Sequence, residues 1–178
     1  SCADLDGDGY IGDIDPDDND PCVPDNTTAA CIASGSCTLK VNNTNASGEG
    51  SLINAIECAS SGDTISFESS LNGQIIELTS EVAEIDKNLF IITDPINNIT
   101  VQGLGIPSTF HIMSGAIVEI EGLNIICGTA IEGRGILNEG VLTIRDVTIL
   151  ETNPPIGSGN LVKNLNELKV EGNCNIQE

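Results

Sequence analysis

Nine residues, Val118-Glu119-Ile120-Glu121-Gly122-Leu123-Asn124-Ile125-Ile126, recur 24 positions later as Leu142-Thr143-Ile144-Arg145-Asp146-Val147-Thr148-Ile149-Leu150. After a further 26 they recur as Leu168-Lys169-Val170-Glu171-Gly172-Asn173-Cys174-Asn175-Ile176, and Ile99-Thr100-Val101-Gln102-Gly103-Leu104 reads as a partial earlier copy. Within each copy apolar and polar residues alternate with the period of a strand, a turn residue follows, and a second short run begins. Such a unit cannot bury its apolar side alone. It is stable only when stacked on its neighbours, and a repeat of this length built from two or three short strands is the mark of a solenoid. The expected fold is therefore all-β, a parallel β-helix (β-solenoid) in which each repeat is one coil.

Two further regularities follow the repeat. Gly103, Gly122, Asp146 and Gly172 stand at the shared bend, and these residue types accept the backbone angles of a tight corner. Ser114, Asn138 and Asn164 recur just before the strand at matching offsets, which predicts a stacked polar ladder along one corner. Upstream, Thr38–Val41, Thr64–Phe67, Ile75–Leu78 and Leu89–Ile92 read as short strands between Gly, Asn, Asp and Pro turns. Between the first two lies a helix signal near 52–59. Ser51 caps it, Leu52, Ile53, Ala55, Ile56 and Ala59 supply the apolar face, and Ser60-Ser61-Gly62 ends it. With three Phe, one Tyr and no Trp, the core must be Ile, Leu and Val, which again favours strands.

Residues 1–36 have a different character, so the chain divides into an Asp-rich extension (1–36) and a β-helix domain (37–178). Asp4-Leu5-Asp6-Gly7-Asp8-Gly9-Tyr10-Ile11-Gly12-Asp13-Ile14-Asp15 carries carboxylates at its first, third, fifth and twelfth positions and glycine at the sixth. That spacing wraps oxygen ligands around a hard cation while the glycine makes the sharp turn. Asp4, Asp6, Asp8, the Tyr10 carbonyl and Asp15 are read as ligands of one Ca2+, with Asp13, Asp17, Asp18 and Asp20 available for a second. Magnesium suits so many flexible carboxylates less well than the larger ion.

The formal charge of −21 repels phosphate backbones and anionic bilayers, so no nucleic acid is expected as a partner. Bound calcium would relieve the self-repulsion where it is densest, between Asp4 and Asp20. No stretch reads as a signal peptide or a membrane span, and the chain is read as a mature or trimmed form without membrane insertion. Seven cysteines with no CxxC pair and a single His fit structural disulfides in an oxidising compartment, hence an extracellular or cell-surface location. The odd count leaves one thiol free or joined to another molecule. Cys2, Cys22, Cys31 and Cys37 alone allow three pairings; Cys2 with Cys22 would close the calcium loop, and Cys37 with Cys58 would tie the helix to the preceding strand.

Asp4-Leu5-Asp6-Gly7-Asp8-Gly9-Tyr10 followed by Asp15-Pro16-Asp17-Asp18-Asn19-Asp20-Pro21 resembles the calcium-binding repeats of secreted bacterial surface proteins, related to thrombospondin type 3 repeats and dockerin loops. Gly48-Glu49-Gly50-Ser51-Leu52-Ile53-Asn54-Ala55-Ile56 with Ser61-Gly62-Asp63-Thr64-Ile65-Ser66-Phe67 is similar to the entry of the right-handed parallel β-helix domains of adhesin-like surface proteins. In that family the short helix covers the N-terminal end of the solenoid, and a basic residue usually stands where this chain has Ile53.

Parallel β-helices also include enzymes resembling pectate lyases and polygalacturonases. A lyase needs a basic residue beside its calcium. The only arginines are Arg134, in a glycine turn, and Arg145, beside Asp146, where a local surface ion pair is the plain reading. Asp63, Asp86, Asp94 and Asp146 show no pairing of the kind a hydrolase needs. His111, between Phe110 and Ile112, is given no role, and the sequons at Asn26, Asn42, Asn45 and Asn98 are either glycan sites of a secreted chain or chance products of asparagine-rich turns. The chain is therefore expected to be a structural or adhesive element rather than an enzyme. Because nothing evident covers its last coil, it is expected to join copies of itself head to tail or to meet other cell-surface components. A polysaccharide-acting enzyme and a passive spacer of a larger adhesin are the alternatives.

Overall fold

The computed structural model describes residues 38–151 and 160–177. Their strands form three parallel sheets. The first sheet runs, in spatial order, β1 (Lys40–Val41), β2 (Asp63–Phe67), β5 (Leu89–Ile92), β8 (Ile117–Glu121), β11 (Val141–Arg145) and β14 (Glu167–Glu171). The second holds β3 (Ile75–Leu78), β6 (Thr100–Gly103), β9 (Asn124–Ile126), β12 (Thr148–Leu150) and β15 (Asn175–Gln177), and the third β4 (Ala83–Ile85), β7 (Phe110–Ile112), β10 (Ile136–Asn138) and β13 (Val162–Asn164). The chain visits the sheets in rotation, giving a β-solenoid of four complete three-strand coils, with β14 and β15 beginning a fifth.

The repeat seen in the sequence is the stacking register itself. Val118 lies opposite Leu142 and Leu142 opposite Leu168, so the offsets of 24 and 26 residues are one turn of the solenoid. Strand alternation then sends every second residue inward. In the first sheet Ile65, Ile91, Ile120 and Ile144 form one continuous inward row, each 0% exposed. Ile76, Val101, Ile125 and Ile149 do the same in the second.

The corner between the first and second sheets is turned by a residue with positive φ, namely Gly122 (77°), Asp146 (51°) and Gly172 (66°) in successive coils. At Gly122 a side chain is barred twice, because a Cβ there would also run into the Thr93 carbonyl. Asp146 replaces glycine by using its carboxylate, whose Oδ1 accepts the Asn173 N–H at 2.7 Å.

Gly103 does not belong to this series. It ends β6 opposite Leu78 in the second sheet, so Ile99–Leu104 is not an earlier copy of 118–123 but stacks on 124–126. All three sheets share the same inward alternation, and a six-residue fragment cannot say which of them it joins. Nor does Ser114 join the ladder. Asn138 is preceded in its row by Ile112, because the corner before β8 spans 113–116 while the corner before β11 spans only 139–140. Counting at constant offset therefore slips by two. The ladder does join Asn138, fully buried, to Asn164, whose Oδ1 accepts a hydrogen bond from Asn138 Nδ2 at 2.6 Å, and the same Nδ2 also donates to the Glu167 carbonyl at 2.9 Å.

Helix α1 spans Leu52–Cys58, with the Ser51 hydroxyl accepting the Asn54 N–H at 3.1 Å. It buries Leu52, Ile53, Ala55 and Ile56 and packs against β1 and β4, the terminal strands of two sheets. Among the described residues no helix is long and apolar enough to cross a membrane.

Candidate functional site

The nine calcium-ligand candidates Asp4, Asp6, Asp8, Tyr10, Asp13, Asp15, Asp17, Asp18 and Asp20 lie outside the described residues, as do the boundary at residues 36 and 37 and Cys2, Cys22, Cys31 and Cys37. Among the described residues no group of three or more His, Cys, Asp or Glu is placed to hold a metal ion. Cys58 is disulfide-bonded, while Cys127 and Cys174 are free thiols. Burial pushes the Cys127 thiol up to about 11 despite the Arg134 charge nearby, so at neutral pH it is a protonated core group and not a nucleophile.

The structure separates the two arginines, and Arg145 does not form the local pair with Asp146 that the sequence suggests. Arg134 is buried, 1% exposed, and its Nη2 donates to Glu151 Oε1. The reason is topological. The corner from β9 to β10 folds back over the coil, and the Arg134 carbonyl accepts the N–H groups of Thr109 and Gly128 at 3.0 and 2.9 Å, which holds the residue between coils. Arg145 stays on the outer face of the first sheet, but its partners come from neighbouring coils rather than from Asp146. Its guanidinium lies 2.9 Å from Glu119, 3.1 Å from Glu121 and 2.6 Å from Glu171. The Glu171 hydrogen bond, then the Glu119 charge, holds the guanidinium pKa above its ordinary value. Glu171 in turn is held below the usual carboxylate range by its hydrogen bonds to Lys169 and then Arg145. Sequence reasoning missed this cluster because its members are 24 to 26 residues apart, one turn of the coil.

His111 is not isolated. Its Nδ1 lies 3.6 Å from Glu84 and its Nε2 3.5 Å from Glu139, groups on the coils before and after it. Beside this trio a groove of about 570 Å³ opens between α1 and β4. Ile53, Ile56, Val82 and Met113 contribute its apolar lining, and Glu57, Glu81, Glu84 and Asp86 its acidic lining. Lys87 also lines the groove, its Nζ donating to the Ile56 and Glu57 carbonyls at the end of α1 and lying 3.7 Å from Asp86.

The most consequential geometry is at the far end of the solenoid. Val170 continues the inward row of Ile65, Ile91, Ile120 and Ile144, and Ile176 continues that of Ile149. Yet Val170 is 51% exposed and Ile176 42%, where their predecessors are sealed. Strands β13, β14 and β15 each end a sheet, so their outer backbone edges have no strand beside them among the described residues. No protein family, curated protein or solved structure matches this chain.

Proposed function

We propose that this chain is a secreted, calcium-stabilised structural or adhesive protein, a right-handed β-solenoid that joins head to tail into an extracellular filament or surface layer. One observation carries the reading: two inward rows, sealed in every preceding coil, end in half-exposed Val170 and Ile176. Apolar side chains and unpaired strand edges exposed together form a template for another β-structure. A contact between two different ends does not close on itself, so it propagates into a fibre. In this reading the last coil receives the N-terminal extension or first coil of the next copy, and Ca2+ held by Asp4, Asp6, Asp8, the Tyr10 carbonyl and Asp15 orders that extension. Arg134 and Arg145, the residues a lyase would need as base, are already engaged by carboxylates, which favours a structural role over a catalytic one.

Sedimentation and electron microscopy of the purified chain, in calcium and after chelation, test this. The expected result is polymer in calcium that dissociates or loses thermal stability on chelation. A monodisperse monomer in calcium at high protein concentration would overturn it.

A further inference from the structure

We propose that the groove between α1 and β4 binds an aliphatic polyamine, with its methylene chain on the apolar floor and its ammonium groups on the surrounding carboxylates. The site goes beyond the filament reading and requires only the monomer.

Helix and strand periodicities build its two walls. Ile53, Ile56 and Glu57 stand at i, i+3 and i+4 on α1 and so share one helical face. On β4, Ala83 and Ile85 point inward and are fully buried, which turns Val82, Glu84 and Asp86 to the other face. All six line the groove, joined by Glu81 and by Met113 of the next coil, whose N–H donates to the Ile85 carbonyl at 2.9 Å. Ile53 and Ile56 are buried and Val82 packs against the core, whereas Glu57, Glu81, Glu84 and Asp86 are exposed. An apolar floor under an acidic rim follows from that difference.

The chemistry of this lining selects the occupant. Its side chains offer four carboxylates, which only accept hydrogen bonds, and one donor, Lys87, already engaged by the Ile56 and Glu57 carbonyls. The complementary ligand carries donors and positive charge, no acceptors, and an apolar stem. No three of the carboxylates converge as metal ligands, so the positive charge must be spread along a chain rather than concentrated on one ion. A peptide would bring carbonyl acceptors for which the lining side chains hold no free donor. The volume, about 570 Å³, falls within the range of small-molecule sites, about 300–1,000 Å³. Nor does the chain hold a spare cation for the groove. Each of its six Lys and Arg side chains is already ion-paired, and none of those pairs includes Glu57 or Glu81. A second copy is excluded as occupant on the same ground.

Met113 is the only methionine, so the full chain labelled with 13C in the methionine methyl gives a single resonance from the groove itself. Titration with spermidine in calcium should shift that resonance saturably. Glu57→Gln/Glu81→Gln should weaken the apparent affinity by roughly five- to tenfold. Glu49→Gln/Glu77→Gln removes the same charge from exposed positions outside the groove and should leave the affinity near that of wild type. Thermal melts matching wild type establish that both variants are folded. An unmoved Met113 resonance would overturn the proposal, and so would equal weakening by the two pairs, which would mean that spermidine gathers diffusely on the acidic surface. Tighter binding of an acetylated lysine tripeptide amide than of spermidine, at the same positive charge, would overturn it in favour of a peptide. The filament reading is tested separately by sedimentation and stands or falls independently of these outcomes.

Discussion

Truncating one inward row at two heights measures whether the end coil is open in solution. Ile120 and Val170 occupy equivalent inward positions in β8 and β14, two coils apart, but the first is fully buried and the second 51% exposed. Ile120→Ala removes three buried carbons, about 2.4 kcal/mol of transfer free energy at ~0.8 kcal/mol each, and the cavity left behind raises the loss to roughly 3–4 kcal/mol. Val170→Ala removes two carbons that are half in water already, for a loss of about 0.8 kcal/mol. With a midpoint shift of roughly 2–4 °C per kcal/mol for a chain of this size, the expected losses are about 10 °C and about 2–3 °C. Urea unfolding of the monomer at low concentration, followed by circular dichroism, checks both values. Comparable losses at the two positions would refute the reasoning, because Val170 would then be covered.

Other perturbations probe the corners, the buried pair and the titrating groups. Gly115→Ala, at φ 91° with open space around it, should cost about 1 kcal/mol, whereas Gly122→Ala, at φ 77° against the Thr93 carbonyl, should cost roughly 3 kcal/mol or more in the same melt. Glu151→Ala removes a carboxylate partner from buried Arg134 and should lose roughly 3 kcal/mol; the double variant Arg134→Met/Glu151→Leu should lose less, a reversal that double-variant urea curves would reveal. The folded Glu171 pKa is lowered, so its contribution is present above its ordinary value of 4.5 and disappears as pH falls through the folded value. Glu171→Gln should flatten that acid limb of the stability–pH curve. The Cys127 pKa is raised from 9.0 to about 11, so stability should fall as pH climbs through that window, and Cys127→Ala should remove the alkaline loss.

Much of the fold could be read before any coordinate. The alignment of Val118, Leu142 and Leu168 became a physical row because a parallel solenoid pairs residues one repeat apart, and positive φ at Gly122, Asp146 and Gly172 follows from turning the same corner in successive coils. Ser114 leaves the ladder because corner loops differ in length, so a constant offset slips, whereas Gly103 leaves the corner series because six alternating residues fit any of the three sheets. Nothing local indicates that Arg134, in its glycine turn, folds back between coils to meet Glu151. Little of the candidate site was local. The cluster around Arg145 and the carboxylates flanking His111 each span neighbouring coils.

Period-two alternation, an aliphatic core and a near-constant repeat length are local properties, and by themselves they determined that the chain stacks into a parallel β-solenoid. Which residues share a row, which charges meet and which inward side chains remain uncovered depend on the lengths of every intervening corner added together. The tertiary structure alone decided those. For that reason Arg145 and the carboxylates of Glu119, Glu121 and Glu171, drawn from three coils, could be recognised as one cluster only after the register was known.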